Sequence, residues 1–133
     1  MAELIYRTEL APEWIDYNGH LRDAFYGLIV SYASDALMDR LGMDADYRRR
    51  TQNTLYTLEM HTHFFHEVKQ SDSVFVNVRV LGADQKRIHA AFDIVRYSDA
   101  VVAASAVTKL AAATAHSEEV GPGSRRMELP RRH

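Results

Sequence analysis

Apolar residues recur every three to four positions from about His20 to Leu41, where Leu21, Ala24, Phe25, Leu28, Tyr32, Ala36 and Leu37 follow a helical spacing. Between Ala24 and Ala33 only Gly27 and Ser31 are neither aliphatic nor aromatic. The spacing therefore predicts a helix that is apolar all round in its first half, the pattern of a buried one. Ser34, Asp35, Asp39 and Arg40 make the second half polar, and Gly42 supplies a C-terminal stop. Elsewhere the period is two. Glu3–Glu9 alternates loosely and reads as a short strand, and Leu55–His66, Ser73–Leu81, Arg87–Tyr97 and Val101–Ala113 read as four more. Within the third, Val74, Val76, Val78 and Val80 form one face, with Phe75, Asn77, Arg79 and Leu81 on the other. Gly82-Ala83-Asp84 and Ser98-Asp99 fall where tight hairpin turns belong, so the last three strands should be antiparallel neighbours. Asp44–Thr51, with Arg48-Arg49-Arg50, predicts a short surface helix or loop.

The expected architecture is α+β: one strand, one long central helix, then strands completing a curved five-stranded antiparallel sheet around it. One helix covers only one face of such a sheet. The apolar residues on the other face predict a partner subunit that covers it or extends the sheet, as a homodimer or homotetramer. The pattern stops after Ala115, so residues 1–115 read as the domain. Residues 116–133, with Gly121-Pro122-Gly123 and four arginines among the last nine positions, read as a mobile tail.

Composition narrows the function. At 133 residues the chain fits one domain with a sizeable core, and a hydrophobic fraction of 47% is ordinary for a soluble protein. A net charge of −2 argues against binding nucleic acid, whose phosphates call for a basic face. No apolar run of about eighteen residues predicts a membrane span. The first residues lack the basic-then-apolar pattern of a secretory signal. The chain has no cysteine, hence no disulfide and no thiolate nucleophile or ligand, and a cytoplasmic location is the expectation.

No Gly-x-Ser-x-Gly elbow, glycine-rich phosphate loop or His-Glu-x-x-His helix occurs, and no cofactor is expected. What stands out is Glu13-Trp14-Ile15-Asp16-Tyr17-Asn18-Gly19-His20, a carboxylate in a glycine-containing turn just ahead of the long helix. A helix start presents unpaired N–H groups and a partial positive charge, which suits attack on a carbonyl and stabilisation of the oxyanion. It equally suits an ordinary N-terminal cap. Glu59, His61 and His63 alternate on one strand, but three ligands along a straight strand do not converge easily on an ion, so no metal is expected. Glu59 is the lone carboxylate in Leu55-Tyr56-Thr57-Leu58-Glu59-Met60; either it is buried and paired, or it reaches solvent or a nearby cation.

The pattern Asp16-x-x-Gly19-His20, with Tyr26 in the following helix, resembles the hotdog-fold acyl-CoA thioesterases of the 4-hydroxybenzoyl-CoA thioesterase type. Trp14–Leu21, Ser34-Asp35-Ala36-Leu37, Tyr56-Thr57-Leu58-Glu59 with His61, and Leu81–His89 resemble its betainyl-CoA thioesterase subgroup, which occurs alone or fused to L-carnitine dehydrogenase. The resemblance implies hydrolysis of a small acyl-CoA, betainyl-CoA in carnitine catabolism. Asp16 would act as nucleophile or general base, Asn18 and His20 as orienting groups, and backbone N–H groups near Asp23 as the oxyanion hole. A betainyl group carries a permanent trimethylammonium, for which aromatic faces and a carboxylate are the expected receptor. Trp14, Tyr17, Tyr26, Tyr56 and Phe64 are the candidate faces and Glu59 the candidate counter-charge; Lys86 and Arg87 are candidates for the CoA phosphates. Another short or aromatic acyl-CoA as substrate, or a non-catalytic acyl-CoA-binding module, are the alternatives.

Overall fold

The computed structural model describes residues 2–114. In chain order it contains strand β1 (Glu3–Glu9), a 3-10 turn (Pro12–Trp14), helix α1 (Asp23–Arg40), helix α2 (Ala45–Thr51), and strands β2 (Asn53–Phe64), β3 (Ser73–Ala83), β4 (Arg87–Arg96) and β5 (Val102–Thr114). All five strands form one antiparallel sheet in the order β1-β3-β4-β5-β2. The local hairpins β3–β4 and β4–β5 are those the turn residues predict. The pairings of β1 with β3 and of β2 with β5 join segments distant in sequence, and β1 and β2 become the two edges. The 116–133 segment lies outside the described residues.

One face of the sheet packs on α1, the hotdog arrangement. Val74, Val76 and Val78 from β3, Ala90, Phe92 and Ile94 from β4, and Ala104, Ala106 and Leu110 from β5 meet Tyr26, Ile29, Val30, Ala33 and Leu37 of the helix. Phe92, Ile94, Ile29 and Val30 are fully buried. Burying each such side chain contributes about 1.5–3 kcal/mol, which is what fixes the register of a sheet with period-two alternation. Val80 keeps its register opposite Ala90 but is exposed, lying past Val78, where the pairing with β1 ends.

Helix α1 differs from its expectation in two ways. It starts at Asp23 rather than His20, because His20 and Leu21 are drawn into backbone bridges with Lys69 and Ile15. It is also buried on one side only: Ala24, Ser31 and Tyr32 are exposed in the single chain, since the sheet covers one flank. The Asp44–Thr51 segment resolves as α2, capped by the Asp44 side chain, which accepts from the Tyr47 N–H at 2.9 Å. No helix among the described residues is long and apolar enough to cross a membrane.

Candidate active site

The stretch between the 3-10 turn and α1 folds back on itself through a bridge between Ile15 and Leu21. Asp16 donates its N–H to the His20 carbonyl at 2.9 Å, and Gly19 donates to the Asp16 carbonyl at 3.0 Å. Gly19 takes a φ of +80°, the left-handed value such a tight turn needs. The Asp16 side chain completes the turn: one carboxylate oxygen, Oδ1, accepts N–H donors from Asn18 at 2.9 Å and His20 at 3.1 Å. The other oxygen, Oδ2, has no partner among the described residues. These contacts hold the carboxyl below the usual carboxylate range: the His20 N–H contributes most, burial opposes it, and the Asn18 N–H and the charges of His20 and Arg22 add to the lowering. Asp16 is thus not the helix cap. The cap position belongs to Arg22, whose side chain makes no capping bond. The N–H groups of Asp23 and Ala24, first in the helix, meet no acceptor among the described residues.

Asp16 lines a cleft of about 480 Å³ together with Tyr17, Asn18, His20, Leu21, Arg22, Asp23, Tyr26, Phe64, Phe65, His66 and Glu67. Tyr26 is 4% exposed and meets the Phe64 ring edge-on at 5.0 Å. Its hydroxyl has no hydrogen-bond partner among the described residues. Burial first, then the carboxylates of Glu67 and Asp16, push the phenol up against a smaller opposing effect from Arg96, so it stays a donor at neutral pH. Tyr17, at 89% exposed, stands at the rim.

The far wall of the cleft was not legible in the sequence. Strand β2 ends at Phe64, two residues short of its expected end, and Phe65, His66 and Glu67 turn out of the sheet to form that wall. The loop is stitched to the Asp16 turn: the Leu21 N–H donates to the Val68 carbonyl at 2.8 Å, and the Gln70 N–H to the Gly19 carbonyl at 2.9 Å. Val68 is fully buried. Arg96 donates to the Glu67 carbonyl at 2.8 Å while its guanidinium also holds Asp99. The Glu67 carboxylate lies 3.1 Å from Nε2 of His20. The one signal available in the sequence was an aromatic pair followed by His and Glu at a strand end.

Other expected site residues lie elsewhere. Glu59 faces a second cleft of about 420 Å³, shared with Leu58, Asp84, Arg87, Ile88, His89 and Lys109. Its side chain is 49% exposed and 3.8 Å from Lys109, so it is the solvent-reaching, cation-paired carboxylate rather than a buried one, and within one chain it does not join Asp16. Arg87 borders the same second cleft and is tied to Asp84 at 2.8 Å; Lys86 is exposed in the turn beside it. Trp14 stacks on Phe25 at 6.1 Å against the core, outside the Asp16 cleft. Tyr56 sits on β2 opposite Ala111, also outside the cleft. The aromatic set expected around a cation is therefore only partly brought together, by Tyr17, Tyr26 and Phe64. His63 stacks on Phe65 at 6.4 Å, and no three His, Asp or Glu side chains among the described residues converge as metal ligands.

Comparison with known proteins gives the chain its relatives. The chain is 54% identical over 84 residues to a betainyl-CoA thioesterase of Pseudomonas aeruginosa, covering 63% of this chain and 53% of that protein. It is 41% identical over 75 residues to an L-carnitine dehydrogenase/betainyl-CoA thioesterase of Agrobacterium fabrum, covering 56% of this chain and 15% of that one. The chain thus spans about half the length of the first relative and a small part of the second. Among solved structures, a candidate thioesterase of Pseudomonas putida KT2440 superposes with a TM-score of 0.74 at 38% identity, over 96% of this chain and 94% of that one. A Staphylococcus aureus protein solved in complex with CoA superposes with a TM-score of 0.80 at 25% identity, over 88% of this chain and 74% of that one. A family model, the thioesterase-like superfamily, matches residues 10–131. That span takes in the Asp16 turn, its cleft and all but the first strand, and with it the chain belongs to the thioesterase-like superfamily.

Proposed function

We propose that the protein hydrolyses the thioester of a small acyl-CoA, with betainyl-CoA as substrate. The observation that carries this reading is Asp16 itself, a carboxylate pinned by one oxygen on backbone donors, with the other oxygen unpartnered beside a cleft. Either role open to it, nucleophile or base for water, requires the ionised form, which its lowered pKa secures at neutral pH. In the net reaction water adds to the acyl carbon, the C–S bond breaks, and CoA leaves as its thiolate to be protonated by solvent. The free thiol has a pKa near ~8.5, so the leaving group departs without a strong general acid. The unpaired N–H groups at the start of α1, near Asp23, are the oxyanion donors in this reading. Asn18 and His20 hold the carboxylate through their backbone, and Tyr17, Tyr26 and Phe64 line the acyl end. Lys86 and Arg87, at the β3–β4 turn, take the CoA phosphates. The named relatives support the acyl group, and the CoA-bound neighbour supports the carrier.

The working unit in this proposal is a homodimer or homotetramer. Its support is that β2, a strand of 12 residues, is an edge of the sheet with no further strand beside it among the described residues, and that Tyr32 on α1 is exposed there.

The deciding experiment is thiol release from betainyl-CoA by the wild type and Asp16→Asn side by side. We expect the variant to fold normally and to lose at least about two orders of magnitude in turnover. Near-normal release would remove Asp16 from the mechanism. Binding of acyl-CoA with no release by the wild type, across cationic, short neutral and aromatic esters, would make the protein a binding module instead.

A further inference from the structure

We infer that Glu67, a residue the sequence did not single out, supplies the counter-charge that selects a quaternary-ammonium acyl group; this rests on the cleft being an acyl-CoA site as proposed above. A quaternary ammonium has no N–H, so it is recognised by aromatic faces and by a nearby negative charge. The Asp16 cleft provides both. Its fixed charges are the carboxylates of Asp16, Asp23 and Glu67 against the single cation Arg22, a net of 1 − 3 = −2 from the aspartates, glutamate and arginine of the lining. CoA is a polyanion, and a negative pocket repels it. Such a pocket suits the opposite end of the substrate, provided that end is a cation.

Geometry favours Glu67 within that set. His20 joins the two carboxylates: its backbone N–H bonds Asp16, and its Nε2 lies 3.1 Å from Glu67 Oε1. Asp16 and Glu67 thus sit at the two ends of His20, each 3.1 Å from it. In a trimethylammonioacetyl ester a single methylene separates the cationic nitrogen from the thioester carbon. Seating that carbon at Asp16 keeps the nitrogen within the cleft that Glu67, Phe64 and Tyr26 line, within reach of the Glu67 carboxylate in this proposal. One oxygen of Glu67 is used by His20 and the other has no partner among the described residues. The backbone beneath it is fixed by Arg96 and by the buried Val68, while the carboxylate itself is 74% exposed at the cleft mouth and meets His20 alone among the described residues. Glu59, the sequence-based candidate, lies in the other cleft and faces Lys109.

The test compares betainyl-CoA with 3,3-dimethylbutanoyl-CoA, in which a neutral tert-butyl group replaces the trimethylammonium at nearly the same shape. Glu67→Gln retains an oxygen that can accept from His20 and removes only the charge. The ratio of kcat/KM for the cationic over the neutral ester should fall at least about tenfold in this variant. In parallel, calorimetry with the inert thioether analogues of both esters should show the wild type binding the cationic one more tightly and Glu67→Gln losing that preference. Preference in binding without turnover would uphold the role of Glu67 while overturning hydrolysis. An unchanged ratio in Glu67→Gln, a wild type with no preference for the cation in either assay, or a loss seen in Glu59→Gln alone would overturn the assignment.

Discussion

Gly19 carries more of the site than its missing side chain suggests. A Cβ there would meet nothing nearer than Oε1 of Gln70 at 4.0 Å, so space is not what excludes alanine. The φ of +80° does, at about 1–2 kcal/mol for a residue with a Cβ. Relief of that strain would swing the His20 N–H off Asp16. We expect Gly19→Ala to lower the melting temperature by several degrees and kcat/KM by at least about tenfold, whereas Gly42→Ala, at a similar φ of +83° but outside the cleft, should cost stability without the kinetic loss. Measuring both variants by thermal denaturation and thiol release separates the two effects. At this scale the sequence disclosed what lies close along the chain. Asp16, Tyr17, Asn18 and His20 form one turn, and Tyr26 follows one helical step inside the cleft. Glu67 was hidden because its neighbour is His20, and nothing local in Phe65-His66-Glu67 announces a loop that docks on a turn so far upstream. Glu59 shows the same limit: an apolar run leaves open whether its carboxylate is buried and paired or reaches solvent, and the second holds, with the register shift between Thr57 and Glu59 and the strand's edge position leaving it facing solvent and Lys109.

Turns, as elements, share one electrostatic device. Asp16, Asp84 and Asp99 each close a turn and each have a pKa lowered from 3.8. For Asp16 the leading cause is the His20 N–H, for Asp84 the Lys86 N–H, and for Asp99 the hydrogen bonds from Arg96. A carboxylate with a lowered folded value stabilises fully above its unfolded value, and that stabilisation is lost as pH falls through the folded one. Melting temperature should therefore stay level from pH 7 to 5 and decline below about pH 4, and Asp99→Asn should reduce the decline. A decline centred between pH 5 and 7 would place the sensitivity on other groups. For the same reason Asp16 should add no acidic limb to the rate profile above about pH 4. The strands and α1 were legible because their apolar periods of two and near four survive in the folded core. The start of α1 was not, because backbone bridges from Leu21 and His20 to distant partners outcompete the first helical turn.

In the whole molecule, sequence-local hairpins account for β3–β4–β5, while the pairings that close the sheet are long-range and leave no trace in periodicity. The face of the sheet away from α1 carries the half-buried Phe75 and Val107 beside a polar group in which Ser105 donates to Asp93 at 2.7 Å and Arg79 approaches the same carboxylate. Among the described residues no further strand pairs with the outer edge of β2, and Tyr32, Val80, Leu81 and Val102 stay exposed. Sedimentation at micromolar concentration should therefore give a dimer or tetramer; a monomer would leave that surface unaccounted for.

Arg96 reaches the carbonyl of Glu67 from the β4–β5 hairpin, which takes no part in lining the cleft. The loop that borders the cleft is thus held from outside, like a guy rope pegged at Asp99. Under the function proposed above, changes in that hairpin retune which acyl groups are admitted while the Asp16 turn keeps its shape, so substrate range and bond-breaking chemistry evolve on separate residues.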